Sequence, residues 1–226
     1  MFQIGNNWNP KQAKLKEILF KSDKFDEAIQ ICSELHSIVH CSDISLGTSP
    51  TFLDEIWENL TKEAFEVMST VKDVTIAWNI WHITRIEDIT VNILIQDAEQ
   101  VLNDEWLKRL NVSVRDTGNA MTDDEILLFS RSVDMAELRN YRNAVGTKTK
   151  NILKELSPSN MKRKVNHENI GRILAEGGVI EHKDSIWLLD FWERKNIAGI
   201  LLMPVTRHQI GHLNDSMRLK KKIMKQ

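Results

Sequence analysis

The sequence predicts an all-α protein, a four-helix bundle with additional short helices. Two observations carry this. Apolar residues recur at three- and four-residue steps over long stretches, as in Phe25, Ala28, Cys32, Leu35 and Val39, which is the pattern of one buried helix face. Strand signals are scarce, whereas Ser, Thr, Asp or Asn repeatedly stands just ahead of an apolar run, where its side chain can cap a helix start. With 226 residues, 42% of them hydrophobic, the chain can bury one sizeable core. We read it as one domain over 1–226, with an N-terminal extension over about 1–22 and a helical insertion over about 158–196.

Asn9 ahead of Pro10 predicts a first helix to about Phe20, with proline where a helix lacks an internal acceptor for its N–H. The apolar stripe from Phe25 to Val39 predicts the first bundle helix over Asp23 to about His40. Gly47, Pro50 and several Ser and Thr make 41–51 a loop, and Pro50 or Thr51 opens a helix carrying Phe52, Ile56, Leu60 and Phe65. A second long helix is expected over about Ile76 to Leu102. Asn111 to Met121 has turn composition, and Thr122 to Glu125 reads as a capping box. Asp134 caps a third long helix with Met135, Leu138, Val145, Ile152 and Leu156 inward, ended at Ser157-Pro158. Short helices follow near His167 to Glu176, stopped by Gly177-Gly178, and around Ser185 to Lys195. Pro204 starts or kinks the final helix.

Lys and Arg total 30 against 32 Asp and Glu, for a net charge of -2, so charge gives no case for nucleic acid or a membrane surface as partner. The basic run Arg218, Lys220, Lys221, Lys222 and Lys225 reads as a solvated helix end that offsets the macrodipole. Cys32 and Cys41 have no C-x-x-C spacing and no second pair, which argues against a disulfide framework or thiolate zinc site and fits a cytoplasmic protein. The first residues lack the basic and apolar regions of a secretion signal, and the longest apolar run, Ile197 to Val205, is too short to span a bilayer. Serine-hydrolase, nucleotide-triphosphatase and dinucleotide motifs are absent.

Three histidines stand out. His208 and His212 are four apart, so a helix presents both imidazoles on one face, and His82 lies early in another predicted helix. Three ligands leave open positions on a divalent ion, as in catalytic rather than structural sites. The alternative is that the pair are satisfied polar residues on a half-buried face. Gln209 stands where a Glu would make H-E-x-x-H, which removes the built-in general base of a zinc protease.

The stretch Trp78 to Asp88 around His82, followed far downstream by Thr206 to Asn214, resembles the DinB-like (damage-inducible) superfamily. That resemblance implies a four-helix bundle in which His82, His208 and His212 bind a divalent metal ion, with zinc and nickel heading the candidates and iron and manganese also open. It further implies a thiol-dependent transferase or isomerase that takes a small-molecule electrophile and a low-molecular-weight thiol, in a homodimer. The alternative is a non-catalytic, stress-related or structural metal-binding bundle.

Other residues sort by face. Asp215, three beyond His212, can accept a hydrogen bond from a ligand imidazole, or stand as a surface carboxylate. Arg85, three beyond His82, can reach the mouth of the site and hold an anionic group, or form an ordinary ion pair. Glu87 and Asp88 turn away from His82 and are expected to pair with cations or support the bundle. His36 and His40 form a second pair four apart, of which His40 can approach the metal or act as acid or base, against a plain core role. Trp78, Trp187 and Trp192 are expected to be packing, with Trp81 beside His82 as the tryptophan to test.

Overall fold

The computed structural model describes residues 2–44, 49–69 and 74–224. Gly47 and Lys225 lie outside the described residues. In chain order the helices are α1 (Asn9–Ile18), α2 (Phe25–Ile38), α3 (Phe52–Trp57), α4 (Lys62–Glu66), α5 (Ile76–Asp88), α6 (Asp104–Leu110), α7 (Asp123–Ser132), α8 (Met135–Glu155), α9 (His167–Ala175), α10 (Trp187–Glu193), α11 (Ile197–Leu202) and α12 (His208–Ile223). Two π-helical segments matter for the site. One, Ile89–Ile95, prolongs α5, and the other, Met203–Arg207, joins α11 to α12. No strand occurs among the described residues, only an isolated bridge between Lys164 and Asn196.

The bundle consists of α2, α5, α8 and α12. Helix α5 packs against both α8 and α12, while α2 closes the ring against α8 and the π turn ahead of α12. Helix α1 lies across α2 and α11. One contiguous apolar core runs from Trp8 to Leu219. Every residue of α5 from Ile76 to Asp88 is buried, although the helix carries Asn79, His82, Arg85, Glu87 and Asp88. Buried polar groups are tolerable only when partnered, so this helix must be met on all sides by hydrogen-bonding groups, and it organises both histidine clusters described below.

The caps follow the sequence closely. Thr51 and Thr122 close capping boxes with Asp54 and Glu125, and Asp134 accepts from the Glu137 N–H at the start of α8. The second long helix does not reach Leu102: helical structure ends at Ile95, and Asp97 takes a left-handed φ of 54°. The reason lies in Asp88, whose two carboxylate oxygens accept the backbone N–H groups of Val101 and Leu102 at 2.7 and 3.0 Å and fold this segment back along the helix. Helix α6, capped by Asn103, was not anticipated in the sequence. Pro204 lies in the first turn of the π-helical segment Met203–Arg207, which runs directly into α12, so the final helical stretch opens at this proline as a π turn rather than an α turn. No helix among the described residues is long and apolar enough to cross a membrane.

Candidate metal centre

The bundle brings His82 of α5 together with His208 and His212 of α12: one ring nitrogen from each lies within 4.8 Å of the other two. The Nε2 atoms of His82 and His208 are 3.2 Å apart. Two imidazoles on one zinc ion at ordinary bond lengths stand roughly 3.0–3.4 Å apart at nitrogen, so this spacing, which is also that of an N–H···N hydrogen bond, would admit a shared ion.

Which nitrogen faces inward is decided by the outer hydrogen bonds. His82 donates its Nδ1–H to the Thr117 carbonyl at 2.8 Å, and His212 donates its Nδ1–H to Asn79 Oδ1 at 2.8 Å. Both bonds make Nε2 the nitrogen with a lone pair, the one able to face an ion, an arrangement that fixes tautomer and ring orientation in metal sites. His208 Nδ1 is buried and has no partner among the described residues. Burial pushes the His82 imidazole down to about 3, with the neighbouring His212 acting in the same direction. Burial and the adjoining histidines also hold His208 well below its ordinary value, and burial lowers His212. The three imidazoles are therefore neutral near pH 7, the protonation state in which they ligate.

The turn at Asp116–Asn119 holds one wall. Trp78 stacks on His82 with ring centroids 4.5 Å apart and planes 8° from parallel, and its indole N–H donates to the Gly118 carbonyl. Gly118 has a φ of +77°, and a Cβ there would stand 2.8 Å from the indole nitrogen, so both conformation and close approach require glycine. The histidines open onto a cavity of about 340 Å³ walled by Trp78, Trp187, Phe191 and Trp192.

A model of the DinB superfamily matches residues 46–215. The chain belongs to the DinB superfamily. The matched stretch includes His82, His208 and His212, whereas α1 and α2 precede it. No curated protein matches the chain.

Several residues of this DinB-superfamily chain lie elsewhere than expected. Asp215 is not the group that orients His212; Asn79 is, while Asp215 is half-exposed and faces Arg218 at 3.5 Å. Arg85 takes the ion-pair alternative and not the mouth of the cavity: it is fully buried, pairs with Asp88 at 2.9 Å and also donates to the Arg115 carbonyl, Tyr141 and Gln100. Trp81 is buried against Phe129 and Tyr141, and the tryptophans that line the cavity are Trp78, Trp187 and Trp192. The sequence signal for Asn79 is its place three residues before His82, on the same helix face, which does not by itself show that it meets His212. Thr117 acts through its carbonyl, for which a sequence carries no signal.

His40 does not join the triad. It forms a second cluster in which His36 Nε2–H and His40 Nε2–H donate to the two carboxylate oxygens of Glu87 at 2.8 and 2.9 Å. The donors of this group also lie within 4.8 Å of one another, so it too could hold a metal ion. Its geometry is that of hydrogen bonds already made. Gln209 donates to Glu87 at 3.0 Å and accepts from Arg142, which places one buried cation near the buried carboxylate. Burial pushes the Glu87 carboxyl up, but the two imidazoles outweigh it and hold it well below the usual range. Burial lowers His40 to about 3, so it donates as a neutral ring.

Proposed function

We propose that this protein is a divalent-metal-dependent enzyme in which His82, His208 and His212 hold the ion, acting as a thiol-dependent transferase or isomerase on small electrophiles. The observation that carries the reading is the pair of Nδ1 hydrogen bonds, from His82 to Thr117 and from His212 to Asn79, which leave Nε2 lone pairs converging at the floor of an open cavity. A divalent ion bound there would act as a Lewis acid, lowering the pKa of a thiol or water.

The chain's own residues fit this division of labour. The carbonyl of Thr117 and the amide of Asn79 orient two rings, and the stacked Trp78 keeps His82 from turning. The three histidines are the titratable groups that line the cavity. Gln209 points away from it into the second cluster, so no carboxylate base accompanies the triad in the manner of a zinc protease. Cys32 and Cys41 are both buried, Cys32 being pushed up to about 12 by burial. A nucleophilic thiolate would therefore arrive with a second molecule, which supports a low-molecular-weight thiol as co-substrate.

Zinc and nickel are the first metals to test, because neutral imidazoles suit both. Elemental analysis of untagged protein, purified without chelator, should give about one ion per chain in the wild type and none in His208→Ala. One ion per chain with turnover of a thiol and an electrophile supports the enzyme. One ion without turnover across such pairs points to the non-catalytic bundle. No ion after incubation with zinc or nickel overturns the metal reading.

A further inference from the structure

We infer that the molecule received above the histidines has an uncharged aromatic body with a single ligating atom at one end. This rests on the reading of His82, His208 and His212 as a metal centre and adds to it the class of substrate. The argument is the composition of the wall. Apart from the three histidines and Asn119, every residue lining the cavity is apolar, and four of them carry large rings: Trp78, Trp187, Phe191 and Trp192. Among the described residues no Lys, Arg, Asp or Glu lines it. A charged group on the body of a ligand would be desolvated there without a partner, which is costly, whereas an aromatic ring gains both burial and ring-ring contact.

Polarity is confined to one end. The triad occupies the floor, and the other polar residue of the lining, Asn119, has its carbonyl oxygen engaged, accepting from the Thr117 hydroxyl at 2.7 Å, so that what it offers a ligand is an uncharged amide N–H. Lys195 sits 4.1 Å from the Phe191 ring centroid and is not part of the lining. A ligating atom, neutral or anionic, therefore belongs at the histidine end and nowhere else. Trp187 supports the same conclusion from the other side. It is 49% exposed, yet its indole N–H is tied to the Asp184 carbonyl and its ring meets Phe191 edge-on at 6.1 Å. A large ring held partly in water at a cavity mouth is a surface that an aromatic ligand would cover. At about 340 Å³ the cavity is near the small end for ligand pockets, suited to one or two rings.

Calorimetric titration of zinc-loaded protein with imidazole and with 4-phenylimidazole tests this, because the two probes share the ligating nitrogen and differ only in the aromatic body. Zinc content is measured on the same samples. The expected result is that 4-phenylimidazole binds about tenfold or more tightly than imidazole. Trp187→Ala should shrink that gap severalfold, leaving imidazole affinity and zinc content unchanged, and Trp187→Phe should restore most of it. Full zinc content with no gap between the probes, or a gap that Trp187→Ala leaves intact, overturns the inference alone. Failure to retain zinc overturns the metal reading on which it stands. Trp187 is half-exposed, so its removal spares the core.

Discussion

Gln209 Nε2 donates to Glu87 Oε2 across 3.0 Å, and this contact turns the side chain between the two α12 histidines away from them. The same amide nitrogen also reaches the carbonyls of Ile83 and Pro204, while Oε1 accepts from Arg142. Gln209→Glu would complete an H-E-x-x-H string yet leave three acceptors without their donor and set a second carboxylate against Glu87. We expect a loss of roughly 2–4 kcal/mol in urea unfolding and no peptidase activity. A stable variant that cleaves peptides would show that the side chain reaches the cavity after all.

Asn79 and Asp215 are expected to differ sharply in their effect on metal affinity. Asn79→Ala removes the acceptor that fixes the His212 ring and should weaken zinc binding by about 10–100-fold. Asp215 is exposed and acts on His212 only through its charge, so Asp215→Ala should weaken binding by about threefold at most. Competition titrations against a chromophoric chelator distinguish the two, and equal effects would reassign the outer shell.

Acid should destabilise the metal-free protein well before the carboxylates titrate. His40 and His82 are held down to about 3 from an ordinary 6.5, so the unfolded chain takes up protons that the folded chain refuses. Their contribution is present above pH 6.5 and is lost as pH falls from there toward 3, on the order of 2 kcal/mol per histidine at pH 5. His208, also lowered, adds in the same direction. Urea midpoints at pH 7, 6 and 5 should fall stepwise in chelator-treated protein, and a flat profile would mean that these rings are accessible to protons when folded.

Gly146 sets two effects against each other. Alanine in the middle of α8 would gain up to about 1 kcal/mol in helix propensity. A Cβ there would, however, run into the buried ring of His40 and the side chain of Ile44. Overpacking of this kind costs typically about 1–3 kcal/mol, so Gly146→Ala should lower the melting temperature rather than raise it.

Much of the fold was legible in the sequence because it is written locally. The stripe from Phe25 to Val39, the capping boxes at Thr51 and Thr122 and the cap at Asp134 are all short-range signals, and the helices form where these place them. The early end of the long helix was not legible, since it depends on Asp88 capturing N–H groups thirteen and fourteen residues away. The same divide runs through the site. The spacing of His208 and His212 marked two of the triad's three histidines, but only the bundle shows that Asn79 faces His212 across 133 positions and that Glu87 gathers His36 and His40. Of the two readings of Arg85 the ion pair holds, with Asp88 at 2.9 Å: a residue three from His82 shares its helix face, yet its four acceptors draw it inward and away from the cavity.

The π-helical turn at Met203–Arg207 bears on how such a centre is made or lost. A π turn takes up about one residue more than an α turn, and each α-helical residue advances by about 100° around the axis. Shortening this turn by one residue would rotate the face that α12 presents, carrying His208 and His212 past His82 without altering any of the three. The azimuth of a helix is thus as much a part of this candidate centre as the identity of its three histidines, and a single-codon deletion would take the cluster apart while every histidine stayed in the sequence.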